Sequence, residues 1–144
     1  MNEDLLFETN RFNLSEVKEH FINPCCFGED LAHWLRDKLK ERGLEVDEPG
    51  QEDWGWYVRV NHRECWYFIG IGGNADESSR EKNQGEWRIM VEEGKWQFPR
   101  VPLVGAVWAK ITRKKTASDA ALMKSIIRGL LEAETDFQNV RYGA

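Results

Sequence analysis

Cys25, Cys26, His62 and Cys65 are the side chains best suited to hold a metal or attack a substrate. His62-x-x-Cys65 has a spacing that a hairpin can present to zinc. A structural site also wants a second C-x₂₋₄-C pair, and adjacent Cys25 and Cys26 serve one ion poorly, so no metal is expected. The same two cysteines precede a helix start, where a thiol pKa falls, and His33 lies one turn further on. But His33 falls off the helix's apolar stripe, and an exposed pairing with Asp37 at i, i+4 accounts for it. Gly70-Ile71-Gly72-Gly73 lacks the helix and the Lys of a phosphate loop. No catalytic residue and no cofactor is assigned on these grounds.

Two other groups point to binding. Residues 45–53 carry five acids and no base, among them Asp47, Glu48, Glu52 and Asp53 around a Pro49-Gly50 turn. General acid–base work needs two carboxyls fixed in a cleft. A solvated acidic stretch instead suits the steering of a basic partner. Tyr57, Arg59, Trp66 and Phe68 form the second group, of residue types enriched at interface hot spots. Arg59 beside Trp66 adds a cation–π contact.

The strands that position these residues follow from period-2 alternation. Residues 54–60 and 65–71 read as an antiparallel hairpin turning through 61–64. Val60 then faces Cys65, Val58 faces Tyr67, Trp56 faces Ile69 and Trp54 faces Ile71, all on one core side. Gly55, Tyr57, Arg59, Trp66, Phe68 and Gly70 take the other side. Residues 86–92 form a third strand with Trp87, Ile89 and Val91 inward. Glu93-Gly94 turns into a fourth at 95–98. Residues 72–85 read as a mobile polar loop.

Helices are expected at 29–42 (stripe Leu31, Trp34, Leu35, Lys38, Leu39; Gly43 as cap) and at 118–133, whose stripe is Leu122, Met123, Ile126, Ile127, Leu130 and Leu131. Residues 1–24 and the apolar stretch 103–112 fit no single element. Ordinary core burial predicts that segment 1–24 folds back over the aromatic sheet side with Phe7, Phe12, Phe21 or Ile22, and an exposed patch is the competing reading. The resulting architecture is a single α+β domain over 1–144: an antiparallel meander of about four strands with two amphipathic helices on one face.

Composition sets the remaining limits. The chain has 144 residues, 25 acids against 20 bases and a net charge of −5. It is long enough to bury about two-thirds of its surface. The acidity argues against nucleic acid as a partner. No apolar run of about 18 residues exists to span a membrane. The odd cysteine count and the absence of a signal-like start lead to the expectation of a cytoplasmic protein with reduced thiols.

The stretch Cys26-Phe27-Gly28-Glu29-Asp30, followed by Glu48-Pro49 and Glu52-Asp53-Trp54-Gly55-Trp56, resembles a pattern in small uncharacterised bacterial proteins over about residues 23–72. In size, acidity and layout the chain is similar to immunity proteins of bacterial toxin systems. That resemblance implies a protein partner and carries no catalytic residue. The leading expectation is therefore a protein-binding module, plausibly immunity-like, using the acidic stretch and the aromatic sheet face. The alternative is a small-molecule-binding or enzymatic domain with a pocket lined by Trp34, Trp54, Trp56 and Tyr67. Self-association through the Trp66 face is a third reading.

Overall fold

The computed structural model describes residues 3–22, 26–75, 77–93 and 120–143. The expected fourth strand at 95–98, the stretch 103–112, Cys25 and the cap of the second helix lie outside the described residues.

The fold is α+β, and among the described residues the antiparallel sheet has seven strands instead of about four. The strands are β1 (Asp4–Thr9), β2 (Glu45–Val46), β3 (Gly50–Glu52), β4 (Gly55–His62), β5 (Cys65–Asn74), β6 (Gly85–Glu93) and β7 (Gln138–Gly143). Their spatial order is β2-β4-β5-β6-β1-β7, with β3 beside β2 on the same edge of β4. Helix α1 is Glu29–Glu41, α2 is the single turn Glu77–Arg80, and α3 runs over residues 120–132.

Helix α1 follows its sequence pattern. Leu31, Ala32, Leu35 and Leu39 are buried, with Glu29 and Asp30 in the first turn and Lys38 and Lys40 in the last. At its end Gly43 adopts φ 85°, and the amides of Gly43 and Leu44 donate to the carbonyls of Lys40 (2.9 Å) and Leu39 (3.2 Å). This left-handed closure satisfies two orphan carbonyls and turns Leu44 onto the core.

The β4–β5 hairpin has its expected faces and a different register. Val60 pairs with Tyr67, Val58 with Ile69 and Trp56 with Ile71. Each partner has moved by two residues, because the turn is Arg63-Glu64, both at positive φ (55° and 66°). Two successive left-handed residues match the right-handed twist of the flanking strands. The sequence carries no Asn-Gly there to announce it. An even shift leaves every side chain on its face, so Trp56, Val58, Val60, Tyr67, Ile69 and Ile71 are all buried as expected.

Strand β5 continues past Ile71, with Gly72 paired to Arg88 and Gly73 to Trp87. The expected loop at 72–85 thus begins as strand, and α2 shortens it further. Its end is tied down where Asn83 Oδ1 accepts from the Leu14 amide (2.9 Å) and the Ser15 hydroxyl (2.8 Å).

Residues 4–9 add β1 between β6 and β7, so the first and last described segments pair in the sheet. Leu5 and Phe7 point to the same side as Trp87 and Ile89. Phe12 and Leu14 are buried in that core. The N-terminal segment therefore packs under the helices instead of over the aromatic side, and Ile22 is exposed. Both long helices bury their stripes in one cluster with the inward strand residues, α3 through Met123, Ile127, Leu130 and Leu131.

Candidate functional site

The sheet face away from the helices carries the expected binding residues, in an arrangement the alternation alone does not give. Trp54 is the main correction. It was expected on the core side facing Ile71. It occupies instead, with Asp53, a two-residue turn joining β3 to β4, where Glu52 pairs with Gly55. A turn residue is released from strand alternation, and its indole folds onto the outer face. There its Cη2 lies 2.8 Å from where a Cβ on Gly70 would stand. Gly70 thus supplies the space in which Trp54 rests.

Trp54 remains 44% exposed. Its ring meets Phe68 edge-on (centroids 6.1 Å apart), and Tyr57 stacks on Phe68 at 4.9 Å and 24°. Both geometries are favoured for aromatic pairs. The Tyr57 ring extends over Gly50 of β3, and the Met90 methyl group reaches Gly70 from β6. Trp66 is half-buried and faces Asn61 across the strands. Arg59 faces Phe68 and pairs with Asp47 at 2.6 Å, so the expected Arg59–Trp66 contact does not form. The two-residue register shift is the reason.

The acidic stretch borders this cluster but is partly engaged. The Asp47 amide also donates to the Arg59 carbonyl (3.0 Å), holding residue 47 against β4. Glu48 pairs with Arg36 of α1, whose guanidinium pKa is raised first by its hydrogen bond to Asp37 (3.0 Å) and further by Glu48. Asp37 is thus engaged by Arg36, where the sequence suggested His33. Glu45 accepts from Asn61 at 3.0 Å. Asp53 is exposed, and its carbonyl accepts from the Cys26 thiol at 3.2 Å, which fastens the Asp53-Trp54 turn to the start of α1. Glu52 is exposed on the same face as Gly50 and Gly55, and it makes no ion pair among the described residues.

The alternative pocket residues are not brought together. Trp56 (4% exposed) and Tyr67 (1%) are inside the core. The Trp56 indole donates to the Cys26 carbonyl at 3.2 Å. Trp34 packs against Phe12 and Phe137 at 6.3 and 5.2 Å. Trp54 lies across the sheet from all three. His62 and Cys65 face one another as the last pair before the β4–β5 turn, yet no group of three or more metal-ligating side chains occurs among the described residues.

The rest of the described outer face surrounds the buried Leu6 with paired polar groups. Arg88 pairs with Asp4 at 2.7 Å, Arg141 pairs with Glu86, and Asn139 donates to Glu8 at 2.7 Å. Sequence reading missed this half because β1 and β7 were not assigned. It missed Trp54's position because the strand start was placed one residue early. The available signal was the pair of glycines 50 and 70, which fall on one face and leave room for the Tyr57 and Trp54 rings.

Among the described residues no helix is long and apolar enough to cross a membrane. Comparison with family models, with curated protein sequences and with solved structures finds no match for this chain.

Proposed function

We propose that this protein is a protein-binding module that engages a basic partner through the β3–β4–β5 end of its outer sheet face. The observation that carries this reading is Trp54. It is a large aromatic side chain left 44% exposed, held by a turn and a glycine, and bordered by carboxylates. Exposed aromatic anchors with an acidic border are the composition of a hot spot reached by electrostatic steering. Tyr57, Phe68 and Trp54 supply the apolar anchor. Glu52 and Asp53 supply the field, with Asp47 and Glu48 behind them in their pairs with Arg59 and Arg36. The resemblance to immunity proteins fits this reading, since occupying a partner's basic functional surface needs only such a face.

The test is capture from a lysate of the source organism, with wild type and Trp54→Ala as baits. One stoichiometric protein bound by wild type, released by raised salt and lost in Trp54→Ala supports the reading. Capture that is unchanged in Trp54→Ala, or insensitive to salt, overturns it.

A further inference from the structure

We propose that the step between Trp54 and Glu52 receives an arginine side chain of the partner, an inference that rests on the protein-binding reading above. Glu52, Asp53, Trp54 and Gly55 are the four consecutive residues of the β3–β4 turn. The first carries a carboxylate and the third an indole, both exposed. The fourth is buried, and a Cβ there would lie 2.4 Å from the Ile71 carbonyl oxygen, so this glycine sets the turn closely against β5. Of the acids between 45 and 53, Asp47, Glu48 and Glu45 are engaged by Arg59, Arg36 and Asn61. Glu52 is exposed and has no ion-pair partner among the described residues, and it shares the outer face and the turn with Trp54.

This pairing of groups favours a planar cation. An indole face attracts a cation through its quadrupole, and arginine is the more frequent occupant. Its guanidinium also stacks flat on the ring while its N–H fork meets a carboxylate in two parallel bonds. Lysine brings the same charge with neither the plane nor the fork. The indole is held in place for this. It rests over Gly70 beside Met90, meets Phe68 in an edge-to-face arrangement, and its turn is fastened by the Cys26–Asp53 contact. Less ordering is then required when the cation arrives. The chain's net charge of −5 favours the approach of such a partner.

Two peptides of equal length and charge, one arginine-rich and one lysine-rich, test this by calorimetry at fixed salt. Wild type is expected to bind the arginine peptide at least about fivefold more tightly. Trp54→Ala should bring that ratio to about one. Gly70→Ala keeps the indole but crowds it at 2.8 Å, and should reduce the ratio partway. Glu52→Gln should weaken both peptides and the arginine peptide more. Circular dichroism and thermal melts verify that each variant is folded. A wild-type ratio near one, or a ratio unchanged in Trp54→Ala, overturns the arginine assignment. If lysate capture still depends on Trp54 in that case, the protein-binding reading stands without it. A concentration-dependent dimer abolished by Trp54→Ala would also overturn the proposal, because the occupant would be a second copy of the chain.

Discussion

Replacing Gly73 by alanine puts a methyl group against the fully buried Trp87 ring. The new Cβ would lie 2.7 Å from Cζ3 and 2.9 Å from Cη2 of Trp87, and 3.0 Å from a Leu14 methyl. Trp87 is 0% exposed and Leu14 1%, so neither can swing into solvent. Carbon atoms rest about 3.5–4.0 Å apart, so the ring must yield by roughly 0.6–1.3 Å. Overpacking of that kind costs about 1–3 kcal/mol, offset by about 0.5–1 kcal/mol from removing a flexible glycine in a strand. The expected net loss is about 1–2 kcal/mol, or roughly 3–6 °C in melting temperature for a chain of this size. Trp87→Phe removes the outer ring atoms that the methyl strikes. It also removes an indole Nε1 that is buried without a hydrogen-bond partner among the described residues. Alone it should cost about 1–2 kcal/mol, as lost burial is partly returned by relief of the unpaired N–H. In the Trp87→Phe background Gly73→Ala should then cost close to nothing. Urea unfolding of all four proteins measures the coupling, expected at about 1–2 kcal/mol in the compensating direction. Additivity to within about 0.3–0.5 kcal/mol would refute the contact as the cause.

Three further outcomes follow from particular contacts. Arg11 donates through Nε to Asp136 (2.9 Å), bonds Glu134 (2.6 Å), and covers Phe137 at 4.5 Å, so Arg11→Met should cost about 1 kcal/mol in urea, discounted for its partial exposure. The Asp136 pKa is lowered, chiefly by the hydrogen bond from Arg11. A depressed carboxyl adds stability above its unfolded pKa of about 3.9 that is lost as pH falls through the folded value. The acid limb of the wild-type stability curve should therefore be steeper than that of Arg11→Met. Glu64 sits at φ 66° in the β4–β5 turn, so Glu64→Gly should raise stability by about 0.5 kcal/mol, relief of left-handed strain exceeding the added chain entropy. A lower urea midpoint for that variant would contradict the turn assignment.

Elements governed by local chemistry were legible in the sequence, and those governed by pairing were not. Helix α1 carries its stripe, its charge order and its glycine stop within residues 29–43, and each behaves in the structure as expected. The inward sides of β4, β5 and β6 follow from alternation, which tolerates a two-residue error in register. β1 and β7 have no such signature. Asp4–Thr9 mixes inward Leu5 and Phe7 with outward Leu6, which is itself buried, so apolar residues run together instead of alternating. β7 is short and half-exposed, and its pairing slips between Leu6 and Glu8. Its existence depends on contact with β1, more than a hundred residues away. For the candidate site the residue types were legible and Trp54's side of the sheet was not. Side is decided by whether residue 54 begins a strand or completes a turn, and that depends on β3 pairing with β4.

The two ends of the sheet explain why association would use its face and not its edges. An unpaired edge strand invites another chain, and proteins blunt it with charge, proline, bulges or interruption. At one end the outer strand is broken into β2 and β3 around Pro49, with Asp47 and Glu48 held there by Arg59 and Arg36. At the other, β7 carries a bulge and a left-handed Asn139 (φ 55°). The outer face is divided as well. On β6, β1 and β7 its charges are matched in pairs, Arg88 with Asp4 and Arg141 with Glu86, which leaves little net field for a partner. On β3 and β5, Gly50 and Gly70 admit the Tyr57 and Trp54 rings, and Glu52 on the same face has no counter-charge among the described residues. Edge addition is thus discouraged at both ends and half of the face is electrostatically satisfied, which favours the part of the face where Trp54 is exposed as the proposed recognition surface.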